Sequence, residues 1–137
     1  MLVVDASAVV ELLMASPTGS LVEEFAFSSG EPLAAPQLLD IEVLRVIRRF
    51  HRNGLLSLQR SEQALGDLAD LAIARYGHEI LRSAIWRLRN NVTAYDATYI
   101  ALAELLEAPI LTCDARLARS TGHGVSIRLV PTDKEPA

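Results

Sequence analysis

The 137-residue chain has a single cysteine, Cys113, and a single lysine, Lys134, and no apolar run that approaches the roughly 18 residues of a membrane span. One cysteine excludes an internal disulfide and suits a reducing cytoplasm, with Cys113 read as a small buried side chain. His51 and His78 stand alone, without partners at ligand spacing, so they read as surface residues and no zinc cluster is in prospect. A Walker-type phosphate loop and a glycine-rich dinucleotide fingerprint are both missing. So is the charged-then-apolar start of a secretory leader. Net charge is −4, which argues against binding nucleic acid through bulk electrostatics. Twelve of the thirteen basic residues are arginine, a type suited to forked phosphate contacts, although GC-rich coding accounts for that bias more simply.

What is present is aliphatic. Half the residues are apolar and few are aromatic, enough to build one core in a single layered α/β domain over residues 1–130, with 131–137 as a loose polar tail. The chain opens with Leu2-Val3-Val4 running straight into Asp5, the pattern of a strand buried on both faces at the centre of a parallel sheet. A helix over 7–14 follows. Ser16 and Pro17 then supply an N-cap and a first helical residue for a helix through 21–27. Residues 33–35 form a short strand closed by Pro36.

The clearest periodicity lies in 37–53, where Leu39, Val43, Val46, Ile47 and Phe50 make one apolar stripe. Arg45, Arg48, Arg49 and Arg52 fall on the opposite side, either as a solvated face or as phosphate guides. Glu42 sits at the boundary, beside Leu38 and Val46. Ser57 caps a helix over 58–71, residues 72–76 form a third strand, and Leu81, Ile85 and Leu88 mark another helix. Thr93 begins a long helix to residue 107, in which Thr93-x-x-Asp96 has the form of a capping box. Residues 109–113 form an apolar strand ending in Asp114, itself a possible cap, and 125–130 form a last edge strand.

Asp5 and Asp114 each follow a strand at its carboxyl end, while Glu42 and Asp96 lie near helix starts. A right-handed parallel sheet brings all four to one edge, where ligands of open α/β sheets bind. Four carboxylates within about 4–6 Å of one another raise each other's proton affinity and call for a hard divalent cation such as Mg²⁺ or Mn²⁺. On this expectation the pocket lacks any balancing charge of its own. Asp40 is two residues from Glu42 and points elsewhere on the helix.

Val3-Val4-Asp5-Ala6-Ser7-Ala8, the Glu42 segment Asp40-Ile41-Glu42-Val43, the block from Thr93 to Glu104 and the block from Leu111 to Ala118 together resemble the PIN-domain ribonucleases. More closely, they resemble the VapC-type toxins of toxin–antitoxin pairs. The resemblance covers nearly the whole chain. It implies a three-layer α/β/α fold with a central parallel sheet of four to five strands, Mg²⁺- or Mn²⁺-dependent RNA cleavage, homodimers, and inhibition by a cognate VapB-type antitoxin. It also implies that Asp5 and Asp96 are the principal metal ligands, with Glu42 and Asp114 binding directly or through water and one of that pair orienting the attacking water. Ser7 and Thr112 would support these carboxylates, and Arg116, Arg45 and Arg49 are candidate phosphate contacts.

Two other classes of function compete. A receiver-type phosphoacceptor needs an acid pair at the first strand and a lysine near the last, whereas Asp5 has no adjacent acid and Lys134 lies in the tail. A haloacid-dehalogenase-like phosphatase needs an acid where Ser7 stands. A non-enzymatic module whose acidic cleft only receives a basic partner remains open at this stage.

Overall fold

Leu2, Val3 and Val4 are each at most 3% exposed, because the strand they form has neighbours on both edges and helices over both faces. In the computed structural model, which describes residues 1–132, this strand is β1 (Leu2–Val4), at the centre of a five-stranded, all-parallel sheet. The others are β2 (Leu33–Pro36), β3 (Ile73–Tyr76), β4 (Ile110–Thr112) and β5 (Ile127–Leu129), in the order β3-β2-β1-β4-β5. Register pairs Leu2 with Leu33 on one side and Val3 with Ile110 on the other.

Alternation along the strands divides the core in two. Leu2 and Val4 pack with α1 (Ala6–Met14), α2 (Pro17–Phe27), α3 (Leu38–Arg52) and α4 (Leu58–Asp70). Val3, Ala34 and Ile110 pack on the opposite face with residues of α6 (Ala94–Leu106) and α7 (Ala115–Ala118). A 3-10 turn over Glu79–Leu81 and the short α5 (Arg82–Arg87) lead into α6, and Leu81 and Leu88 join that second core. This is the expected three-layer α/β/α arrangement.

Local signals account for most helix starts. The hydroxyls of Ser16, Ser57 and Thr93 accept from the amides of Gly19, Arg60 and Asp96, as N-caps do. Helix α3 has no such side chain at its start. Its first amide, that of Leu38, instead donates to Nε2 of His78 at 3.0 Å. His78 is therefore a half-buried structural acceptor rather than the surface residue its isolation suggested, whereas His51 is exposed as expected. Helix α2 begins at Pro17 behind its Ser16 cap, as the sequence indicated. The expected loose tail lies, from residue 133 onward, outside the described residues.

The chain winds from β1 outward to β2 and β3, then crosses back to place β4 on the other side of β1. The winding direction thus reverses between β1 and β4, which opens a crevice at their carboxyl ends. Asp5 directly follows β1, and Asp114 lies two residues past the end of β4.

Candidate active site

Asp5 is 5% exposed, and both of its carboxylate oxygens accept hydrogen bonds. Oδ1 accepts from the Ser7 hydroxyl at 2.8 Å and from the Ala8 amide at 3.0 Å, while Oδ2 accepts from the Thr112 hydroxyl at 2.5 Å. The Ala8 bond makes Asp5 the N-cap of α1 as well. Burial nevertheless pushes its pKa up to about 6, because three hydrogen bonds only partly replace lost hydration, and nearby Asp114 adds repulsion.

Ser7 and Thr112 lock β1 and β4 together around this acid. Their hydroxyls lie 3.1 Å apart, the Cys113 amide donates to Ser7 at 2.9 Å, and the Asp114 amide donates to Thr112 at 2.9 Å. Asp114 in turn caps α7, with Oδ1 accepting from the amides of Arg116 and Leu117. Asp114 is thus both the helix cap its position suggested and a charged neighbour of Asp5.

Glu42, in the second turn of α3, accepts on Oε1 from the Tyr99 hydroxyl of α6 at 2.6 Å. Burial raises its pKa first; the Tyr99 bond and Arg45 oppose that rise and Asp96 adds to it. Tyr99 is 2% exposed, and burial followed by its bond to Glu42 holds its proton tightly. Sequence reasoning passed over Tyr99, although its place three residues after Asp96 puts it on the same helix face.

Asp96 does not close a capping box. Thr93 accepts from its amide at 3.2 Å, but the Asp96 carboxylate turns to the Arg116 guanidinium. Arg116 also reaches Oδ2 of Asp114 at 3.2 Å, so one cation bridges two of the four acids. The pocket expected to be empty of balancing charge therefore carries its own. Arg116, expected as a phosphate contact, pairs with these two carboxylates while 63% exposed. Asp40 points away, as expected, in a forked pair with Arg75.

The four acids form a chain around one sheet edge: Asp5 reaches Asp114 through Thr112, Asp114 reaches Asp96 through Arg116, and Asp96 and Glu42 feel each other's charge. A cleft of about 380 Å³ lined by Glu42, Asp96, Tyr95, Arg45 and Arg116 opens beside them. The donors are all oxygen, which suits a hard divalent cation. Among the described residues, no three acidic, histidine or cysteine side chains converge on one point. The Arg116 guanidinium lies between Asp96 and Asp114. The oxygen-only donors are of the kind such an ion takes, and Arg116, itself 63% exposed, stands between two of them.

Parallel strands wound about a switch point, with acids gathered at its mouth, define an α/β protein of the PIN type. The PIN domain model matches residues 2–122. Ribonuclease VapC12 of Mycobacterium tuberculosis is 37% identical over 130 residues, covering 95% of this chain and 99% of that one. Ribonuclease VapC1 of the same organism is 41% identical over 130 residues, covering 93% and 96%. The chain belongs to the PIN-domain family, among its VapC-type ribonucleases. Solved structures agree on the fold: PAE2754 from Pyrobaculum aerophilum has a TM-score of 0.66 at 22% identity, covering 92% of this chain and 81% of that one. VapBC2 from Rickettsia felis, bound to a promoter DNA fragment, has a TM-score of 0.62 at 10% identity, covering 93% and 97%.

Proposed function

We propose that this chain is a Mg²⁺- or Mn²⁺-dependent ribonuclease that hydrolyses RNA phosphodiester bonds. In this reading it is a cytoplasmic toxin that works as a homodimer, slows translation and growth, and is silenced by a VapB-type antitoxin. The observation that carries the reading is the buried Asp5 carboxylate at the switch point, held by Ser7 and Thr112 and joined through Thr112 to Asp114. The ribonuclease names of its relatives support the enzymatic part, and the toxin–antitoxin complexes among its structural neighbours support the partner.

Asp5 and Asp96 would hold the cation, with Glu42 and Asp114 completing the set directly or through water. When bound, the ion supplies Lewis-acid polarisation of the phosphodiester and charge to steady the leaving oxygen. The chain's own residues do the rest. Ser7 and Thr112 fix the orientation of Asp5, as outer hydrogen bonds do for ligating carboxylates. Glu42 is held by Tyr99 through Oε1 alone, which leaves Oε2 to take a proton from an attacking water. Burial raises its proton affinity, which brings it nearer to a useful general base at neutral pH.

The test is cleavage of labelled RNA with Mg²⁺, with and without chelator, beside Asp96→Asn. We expect chelator to stop cleavage and the substitution to reduce it by on the order of 10²–10⁴-fold, the worth of several kcal/mol of transition-state stabilisation. Cleavage that survives both treatments would exclude this reading. The bridging guanidinium gives a second check. Arg116→Gln is expected to tighten Mn²⁺ binding several-fold by calorimetry, since it removes a competing cation. Its melting temperature should barely move, because ion pairs of so exposed a side chain contribute about 0–1 kcal/mol. Unchanged Mn²⁺ affinity would mean that Arg116 does not contest the site.

A further inference from the structure

Helix α3 carries Arg45, Arg48, Arg49 and Arg52 on its exposed side, and together with Asn53 they line one surface hollow of about 530 Å³. Among the described residues none of the four is in an ion pair, which is also true of Arg60, Arg89, Arg119 and Arg128, but only on α3 do four such arginines gather in one hollow, with Arg49 over the Phe50 ring. The spacing places 45 against 48 and 49, and 52 against 48 and 49, so every neighbouring pair is a like-charge contact that destabilises the helix. The helix dipole favours cations only in the last turn, which covers Arg49 and Arg52, and Arg45 lies near Glu42 and steadies its charge, so Arg48 is the one of the four with neither return. Such a cluster, in a chain of net charge −4, is a local attractor for a polyanion.

Its position suggests which one. Arg45 lines both this hollow and the cleft beside the four acids. The same cleft presents Tyr95, 63% exposed, and Ile41, 65% exposed, as flat apolar surface at its rim. Phosphate-binding arginines leading away from an exposed aromatic are what a single RNA strand uses, its backbone on the cations and an unstacked base on the ring. A second copy of the chain is a poor occupant, since a two-fold contact here would set arginine against arginine.

Resting on the ribonuclease reading, we infer that the α3 arginines form a track for the RNA strand on one side of the cut, with Tyr95 stacking a base at the cleft. From Arg45 to Arg52 the helix advances about 10 Å, so the track adds contacts only for strands that extend past the cleft.

The test is fluorescence anisotropy of a labelled single-stranded RNA in EDTA, where no cleavage is needed, over a range of salt. Arg48→Ala/Arg52→Ala is expected to weaken binding on the order of tenfold at moderate salt, and to lower the log–log salt slope by about 1.4, the release expected for two lost single-strand phosphate contacts. The Lys/Lys double variant should restore most of the slope, which separates charge from packing. Tyr95→Ala is expected to weaken binding with the slope unchanged. An unchanged slope in Arg48→Ala/Arg52→Ala overturns the track while leaving the ribonuclease reading intact. So does unchanged RNA binding with loss of affinity for a polyglutamate probe, which would assign the patch to an acidic protein. A lowered slope in a protein that never cuts RNA would keep the track and remove the nuclease.

Discussion

Asp5→Asn is expected to abolish RNA cleavage and, in the metal-free protein at neutral pH, to raise stability. The two effects have one cause. In the folded chain burial lifts the Asp5 pKa from the usual 3.8 to about 6. The folded state therefore binds its proton more tightly than the unfolded state. Stability from this group is complete below about pH 4 and is lost as pH rises through about 6. Above that, holding the charge costs on the order of 3 kcal/mol, at 1.36 kcal/mol per pH step. Asparagine carries no charge, and its amide can serve the same neighbours: Oδ1 keeps the Ser7 and Ala8 donors, Nδ2 donates to Thr112, and Thr112 turns its proton to Ser7. We expect a gain of about 1–3 kcal/mol above pH 6 that vanishes near pH 4, read from denaturant unfolding at both values. A variant less stable than the wild type at pH 8 would show that Asp5 contributes more as a helix cap than it costs as a buried charge.

Thr112→Val should do the reverse. The side chain is fully buried and valine matches its shape, so packing is conserved and only the hydroxyl is lost. That hydroxyl donates to Asp5 and accepts from the Asp114 amide. Its removal strips a charge-assisted bond from a buried carboxylate and leaves a part-buried amide without its partner, an expected loss of about 2–4 kcal/mol at pH 8. The Thr112 bond also restrains the Asp5 pKa, so the variant shifts the loss of stability to higher pH, and its deficit shrinks near pH 5. Thr112→Ser should recover most of the difference. Equal unfolding midpoints for the Val and Ser variants would mean that the hydroxyl contributes nothing.

The parts of this molecule that depend on neighbours along the chain were legible in its sequence. Continuous Leu2-Val3-Val4 marked the central strand, the α3 stripe marked the buried face through Leu39, Val43 and Ile47, and Ser16, Ser57 and Thr93 marked helix starts. The gathering of acids at one edge followed from strand direction and winding alone. What escaped depends on pairings made across the fold. His78 could be matched to the Leu38 amide only once β3 was known to lie beside β2. Tyr99 finds Glu42 from the opposite layer of the sheet. Arg116 looked solvent-bound because nothing in a one-dimensional reading sets Asp96 and Asp114 on either side of it. The resulting correction is chemical, since a pocket expected to await an outside cation already holds an internal one.

The bond from Thr112 to Asp5 joins residues 107 positions apart, across a sheet whose middle strand is made first and whose decisive neighbour is made late. A chain still growing on the ribosome has Asp5 in hand well before Thr112 can hold it or Asp114 can lie beside it. Synthesis runs at about 5–20 residues per second, so many seconds separate the two ends of the pocket. On the ribonuclease reading proposed above, the acidic pocket therefore stays incomplete until the strand carrying Thr112 has been made.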